Sequence, residues 1–213
     1  FLVFDVTQFP HKLVAKYRDN QIKPILFPQR IREVANSYNN AFVLCEVNDI
    51  GDQVASGLHY DLEYPNVLMT SMRGRAGQVL GQGFSGSKVQ LGVKMSKATK
   101  KTGCLNLKTL IEDQKISFVD YEIIRELTTF IQKGASFEAE EGCNDDLVMC
   151  LVMYAWLILQ EYFKEITDQD IRKRFYDEQK NQVEQDMAPF GFIVDGVNDE
   201  ASFVDNQGDR WHT

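Results

Sequence analysis

The chain has 213 residues and a mass of 24.4 kDa, enough for one domain with a real core, or one domain with an appendage. Hydrophobic residues make up 44% and charged residues 25%, which excludes wholesale disorder. The net charge of −8 excludes a uniformly basic, nucleic-acid-coating or polybasic membrane protein. Cysteines 45, 104, 143 and 150 form no CxxC pair, and the three histidines (His11, His59, His212) are scattered. A disulfide framework or a His-based metal centre is not expected, and a reducing compartment fits better.

Phe1–Val6 and Lys12–Tyr17 read as two short strands with Pro10 in the turn between them, a hairpin. The chain begins without a methionine and inside that first strand, so more polypeptide is expected before it. Pro28 opens a helix with Ile31, Val34, Ala35 and Tyr38 on one face. Ala41–Val47 (AFVLCEV) reads as a fully buried strand. Asn48 or Asp49 is placed to cap a helix running to about Leu62, and Asn66–Thr70 is a further strand. The alternation predicts a mixed sheet covered by helices.

The stretch 72–101 breaks this pattern and reads as a flexible, basic, glycine-rich loop. It holds six of the 14 glycines. From Tyr64 to Ile111 there is no acidic residue, while Arg73, Arg75, Lys88, Lys94, Lys97, Lys100, Lys101 and Lys108 all fall there. Lysines and arginines on such a backbone suit phosphate contacts along a duplex without reading its bases. A literal G-x-G-x-x-G (Gly81, Gly83, Gly86) lacks the strand-to-helix context that a dinucleotide site needs, and Ser87-Lys88 is displaced from the phosphate-loop spacing.

Downstream, Thr102 is placed to cap a helix carrying Leu105, Leu107, Leu110 and Ile111. Lys115–Val119 reads as a strand, Asp120 as the cap of a helix carrying Ile123, Ile124, Leu127 and Ile131, and Gly134–Glu138 as a last strand. Asn144-Asp145-Asp146 starts a long apolar helix ending near Phe163; its run Leu147–Leu159 of 13 residues is too short to span a bilayer. A polar helix is expected over Asp168–Met187, followed by an acidic, irregular tail.

Two acidic features carry candidate chemistry. Glu46 closes an apolar strand, where a carboxylate is costly without partners, and strand ends are where open α/β sheets place their sites. It is either a catalytic or metal-binding acid, or an ordinary residue reaching solvent or a lysine. In Asp145-Asp146 one residue suffices as a helix cap. The other would enter the first turn of a helix that packs on the sheet, within reach of Glu46. Carboxylates converging without a compensating base call for divalent cations. Glu138, Glu140 and Glu141 read as a solvated turn, and Asp5 ends the first strand without being a candidate acid.

VFDVT (3–7), FVLCEVNDIG (42–51), LHYDLEYPNV (58–67), TKKTGCLNLKTLIED (99–113) and EEGCNDDLVMCLVMYAW (140–156) together resemble the C-terminal nuclease domain of the large terminase subunit of T-even-like tailed phages, within the RNase H-like superfamily. The resemblance covers most of residues 1–165. It implies an α/β fold with an RNase H-like mixed central sheet, an initial antiparallel hairpin and then parallel strands, flanked by helices. Residues 1–165 would form the nuclease domain, including the basic segment 72–101, and residues 166–213 an acidic helical extension and tail. The implied activity is a magnesium-dependent endonuclease that cuts concatemeric viral DNA during packaging, with two ions and manganese as a substitute.

On this resemblance Glu46 and Asp146 match two of the family's three catalytic acids and ligate the metal. Asp145 is left as a cap or an outer-shell residue, and the first aspartate is expected upstream of Phe1. Arg73, Arg75, Lys88, Lys94, Lys97, Lys100 and Lys101 would contact double-stranded DNA. Implied partners are an N-terminal ATPase domain of the same subunit, the portal protein and the small terminase subunit, with no membrane. The implied location is the cytoplasm of an infected bacterial host, transiently at the prohead portal vertex. The alternatives are another RNase H-like nuclease such as a junction resolvase, a non-catalytic DNA-binding or motor-docking module, and, least supported, a nucleotide-binding protein.

Overall fold

The computed structural model describes residues 1–73, 77–81, 89–134 and 136–168, with positions 172, 176, 179, 180, 202–204 and 210–212 beyond them. The chain divides into two units, Phe1–Asp170 and Ile171–Thr213.

The first unit opens with the expected hairpin. Strand β1 (Leu2–Asp5) pairs antiparallel with β2 (His11–Lys16), and the register shifts between Val3 and Phe4. Pro10 sits in the turn. Helix α1 (Phe27–Ser37) has Pro28 in its first turn, where a missing N–H costs nothing, and buries Pro28, Ile31 and Ala35. Helix α2 (Gly51–Ser56) runs directly into a wider π turn, Gly57–Asp61.

Three strands follow: β3 (Met69–Arg73), β4 (Gly77–Leu80) and β5 (Val89–Leu91), in the antiparallel order β4-β3-β5. Then come α3 (Lys97–Glu112), β6 (Ile116–Ser117), α4 (Tyr121–Thr128), the hairpin β7 (Phe130–Lys133) with β8 (Ser136–Ala139), and α5 (Asp146–Leu157). Helix α6 (Glu161–Asp168) breaks from α5 at 81°. No single helix among the described residues is long and apolar enough to cross a membrane.

The fold is a mixed α/β arrangement. β6 adds to β2 in parallel, giving the order β1-β2-β6. Residues 41–47 run parallel to two neighbours, with bridges Val43↔Val67 and Glu46↔Val93. The principal core forms where α5 packs on α3, α4 and β6: Leu147, Val148, Leu151, Val152 and Ala155 meet Leu107, Leu110, Ile116 and Ile123. Eight of the 12 residues of α5 are buried, so this helix is apolar nearly all round. In the second unit, β9 (Ser202–Val204) pairs antiparallel with β10 (Arg210–His212).

Several local expectations are corrected. Residues 41–47 make single bridges rather than a continuous strand. Neither Asn48 nor Asp49 caps α2. Ile50 holds that position without a side-chain bond, and Asp49 turns the chain at φ +50°. The stretch 72–101 is not one loop: its described residues complete β3, form β4 and β5 and begin α3. Helix α3 starts at Lys97, capped by Ser96, whose Oγ accepts from the Thr99 amide at 3.1 Å, so Thr102 lies inside it. Ile131 belongs to β7 and not to the Asp120-capped helix. The long apolar helix stops at Leu157, and α6 carries the chain on through Phe163. The glycine motif from Gly83 onward, and most of the helix expected over 168–187, lie outside the described residues.

Candidate metal and nucleic-acid site

Glu46 is fixed by backbone before any side chain acts. The amide of Val47 donates to the Val93 carbonyl and that of Val93 to the Cys45 carbonyl, at 2.9 and 2.8 Å. Gly92, at φ +69°, lies against Cys45, where a Cβ would come within 2.9 Å of Val47 Cγ1. A Cβ on Gly51 would fall inside the Glu46 carbonyl. Both positions therefore demand glycine, and together they pin the end of this segment.

The Glu46 carboxylate accepts from Asn48 Nδ2 at 3.0 Å. That bond orients the amide, leaving Asn48 Oδ1 buried without a hydrogen-bond partner. Burial raises the Glu46 carboxyl above the usual carboxylate range. Lys100 opposes the shift, while Asp145 and Asp49 reinforce it.

Asp145 and Asp146 stand at the start of α5, yet neither is needed to cap it. Asp145 occupies the cap position without a side-chain bond. Glu126 of α4 does that work from another helix: its Oε2 accepts from the amides of Leu147 at 2.8 Å and Val148 at 3.3 Å. Both aspartates are left free for other partners, and each has a protein cation near it. Lys100 Nζ lies 3.9 Å from Asp145 Oδ2, and Arg18 Nη2 lies 3.8 Å from Asp146 Oδ2. Asp146 remains 78% exposed.

One turn along α5, Cys150 is half-buried; desolvation pushes its thiol up, and the negative charges of Glu46, Asp146 and Glu126 push the same way. Arg18, Asn144, Asp146, Leu147 and Cys150 line a cleft of about 840 Å³.

The donor chemistry suits a hard divalent cation: carboxylate oxygens, with an orphaned amide oxygen beside Glu46. Among the described residues, however, no three Asp, Glu, His or Cys side chains converge as a ready-made metal group. Arg18 and Lys100 instead balance part of the acidic charge.

The basic residues separate into classes. Lys94, Lys97 and Lys101 are exposed. Lys100 is not: its side chain is 19% exposed, pairs with Asp145 and lies over the Phe130 ring, 5.7 Å from the centroid. Its charge belongs to the acidic site. The Arg73 side chain, Arg75 and Lys88 lie outside the described residues. Sequence reasoning missed Arg18, Glu126 and Asn48. Only Asn48 carried a signal, its spacing of two from Glu46, which puts both on one face of an extended chain.

A family model described as a terminase RNaseH-like domain matches residues 1–177.

Proposed function

Because the chain belongs to the terminase RNaseH-like domain family and so carries a nuclease-type function, we propose that it is the metal-dependent endonuclease domain of a T-even-like phage large terminase subunit, cutting concatemeric viral DNA during packaging. The observation that supports this best is the cap on α5. Glu126 satisfies the helix amides, so neither carboxylate of the Asp145–Asp146 pair is spent on the cap. Glu46 and Asp146 would hold magnesium, and Asp145 would hold ordered water.

Two bound magnesium ions, or manganese in their place, would supply an activated water and charge stabilisation at the leaving oxygen. The residues of this chain do the rest. Glu46 and Asp146 present negative charge from two separate elements, and Lys100 restrains Asp145. Lys94, Lys97 and Lys101, with Arg73, Arg75 and Lys88, would hold the DNA backbone on one basic face of an acidic body, which favours one docking orientation. The expected partners are double-stranded DNA, an ATPase domain of the same subunit, the portal protein and the small terminase subunit. The site of action would be the host cytoplasm at the prohead portal vertex.

In the full-length protein, Glu46→Ala combined with Asp146→Ala is expected to abolish plasmid cleavage and leave DNA binding in place. Normal cutting by that variant overturns the reading. A second reading, a DNA-binding or motor-docking module without catalysis, is favoured by one observation: Arg18 and Lys100 already lie beside the two aspartates.

A further inference from the structure

Glu126 is the one carboxylate among the buried side chains of the described residues, 5% exposed. Burying a carboxylate is costly, and its two oxygens are committed differently. Oε2 caps α5. Oε1 makes no hydrogen bond and faces Arg18 Nη1 at 3.3 Å. Arg18, just past β2, is set among three acids: Glu126, Glu122 at 3.7 Å from Nη1, and Asp146 at 3.8 Å from Nη2. The shortest of the three contacts is to Glu126, which is 7% exposed at the side chain, against 78% for Asp146. An ion pair is worth most where water is excluded, so Arg18 is held chiefly by Glu126 and only loosely by Asp146.

We infer that Glu126 and Arg18 are a positioning pair for Asp146. Glu126 engages the α5 amides and the Arg18 charge together, and so leaves the Asp146 carboxylate available at the cleft for a divalent cation. This rests on the proposed metal-dependent reading. The signs follow from charge. Glu126→Gln keeps an amide oxygen able to accept from the Leu147 amide but removes the countercharge, so Arg18 turns to Asp146 and competes with the cation. Arg18→Gln removes that competitor. In the double variant no arginine is left to redirect, so it behaves as Arg18→Gln does.

The test uses the full-length protein with Fe2+, hydrogen peroxide and ascorbate: bound Fe2+ reduces peroxide to hydroxyl radical, which cuts the nearby backbone, and ascorbate returns Fe3+ to Fe2+, so occupancy is read at residues 46 and 146 independently of DNA cleavage. Glu126→Gln should need about fivefold more iron for half-maximal scission and Arg18→Gln about fivefold less, as expected for one unit charge a few ångströms away in partly screened surroundings. The double variant should match Arg18→Gln because no arginine is left to redirect. A double variant that returns to the wild-type value overturns the positioning pair in favour of independent charge effects. Iron titrations unchanged in both single variants overturn the positioning pair while leaving the metal reading intact. Absence of scission near 46 and 146 in the wild-type protein overturns the metal reading, and the inference with it. If Glu126→Gln does not fold, Arg18→Gln decides alone: unchanged or weaker iron occupancy there overturns the inference.

Discussion

Glu46 sits where its charge is disfavoured. Burial raises its carboxyl above the ordinary value of 4.5, against the pull of Lys100. The folded state therefore holds a proton more tightly than the unfolded chain in the window above that ordinary value. Stability contributed by this group is present at low pH and is lost as pH rises through the raised value. Glu46→Gln removes the penalty. We expect its melting temperature to exceed that of the wild type at pH 7 to 8. The gap should shrink as pH falls toward the ordinary carboxylate range, as read by calorimetry across a pH series. An equal or lower melting temperature at neutral pH would show that Lys100 and Asn48 more than offset burial. Glu46 was legible in the sequence because a lone acid in AFVLCEV has no local excuse. Glu126 was not. In YEIIRELT it occupies an ordinary amphipathic-helix position, and only the docking of α5 on α4 buries it. Arg18 gave as little warning, since its three acidic neighbours come from two distant helices.

The crossing of α3 over α5 sets where the acidic helix start points. Gly103 makes the close approach possible: a Cβ there would lie 2.4 Å from the Val152 carbonyl oxygen and 2.7 Å from Val152 Cγ1. Asn106 Nδ2 ties the same pair of helices by donating to the Ala155 carbonyl at 2.7 Å. Gly103→Ala gains about 1 kcal/mol of helix propensity but meets backbone that cannot rotate away. Overpacking of that kind costs about 1–3 kcal/mol and should win. A lower urea midpoint with an unchanged slope is the expected result, and a higher midpoint would mean that the helices slide apart freely. Helices were the more legible elements here, because Ile31, Val34 and Ala35, and again Ile123, Ile124 and Leu127, recur at helical spacing. Their starts were less so. Ser96 caps α3 ahead of a run of lysines that reads as loop, and the cap of α5 comes from residue 126, beyond any local window. The 41–47 segment reads as a buried strand because it is apolar, but apolarity does not specify how many ladder bonds are made.

Charge asymmetry is the property of the whole chain that composition alone hides. A net −8 coexists with a 48-residue window, 64–111, that has no acid and eight basic residues. That asymmetry was fully legible, whereas the division of labour within it was not: Lys100 turns inward to Asp145 while Lys94, Lys97 and Lys101 stay exposed. Replacing those three by glutamine should flatten the dependence of log binding constant on log salt by about 0.9 per lost phosphate contact, uniformly across DNA sequences. Anisotropy with a labelled duplex over a salt series measures it. Lys100→Gln should leave that slope nearly unchanged, and a full-sized drop in slope for Lys100→Gln would assign it to the DNA face after all.

The parallel pairing of β2 with β6 joins His11 to Ile116, about a hundred residues apart in the chain. A ribosome adding roughly 5–20 residues per second needs about 5–20 s to make that intervening stretch. Through that interval the β1–β2 hairpin has emerged with one edge unfilled, and the apolar partner α5 is still to come. The nascent chain therefore carries an open strand edge for seconds, the kind of template that invites pairing with another chain. Val14, 43% exposed on β2 even in the finished fold, lies between Lys12 and Lys16. Charges flanking an apolar residue on a waiting strand discourage that misassociation until β6 arrives.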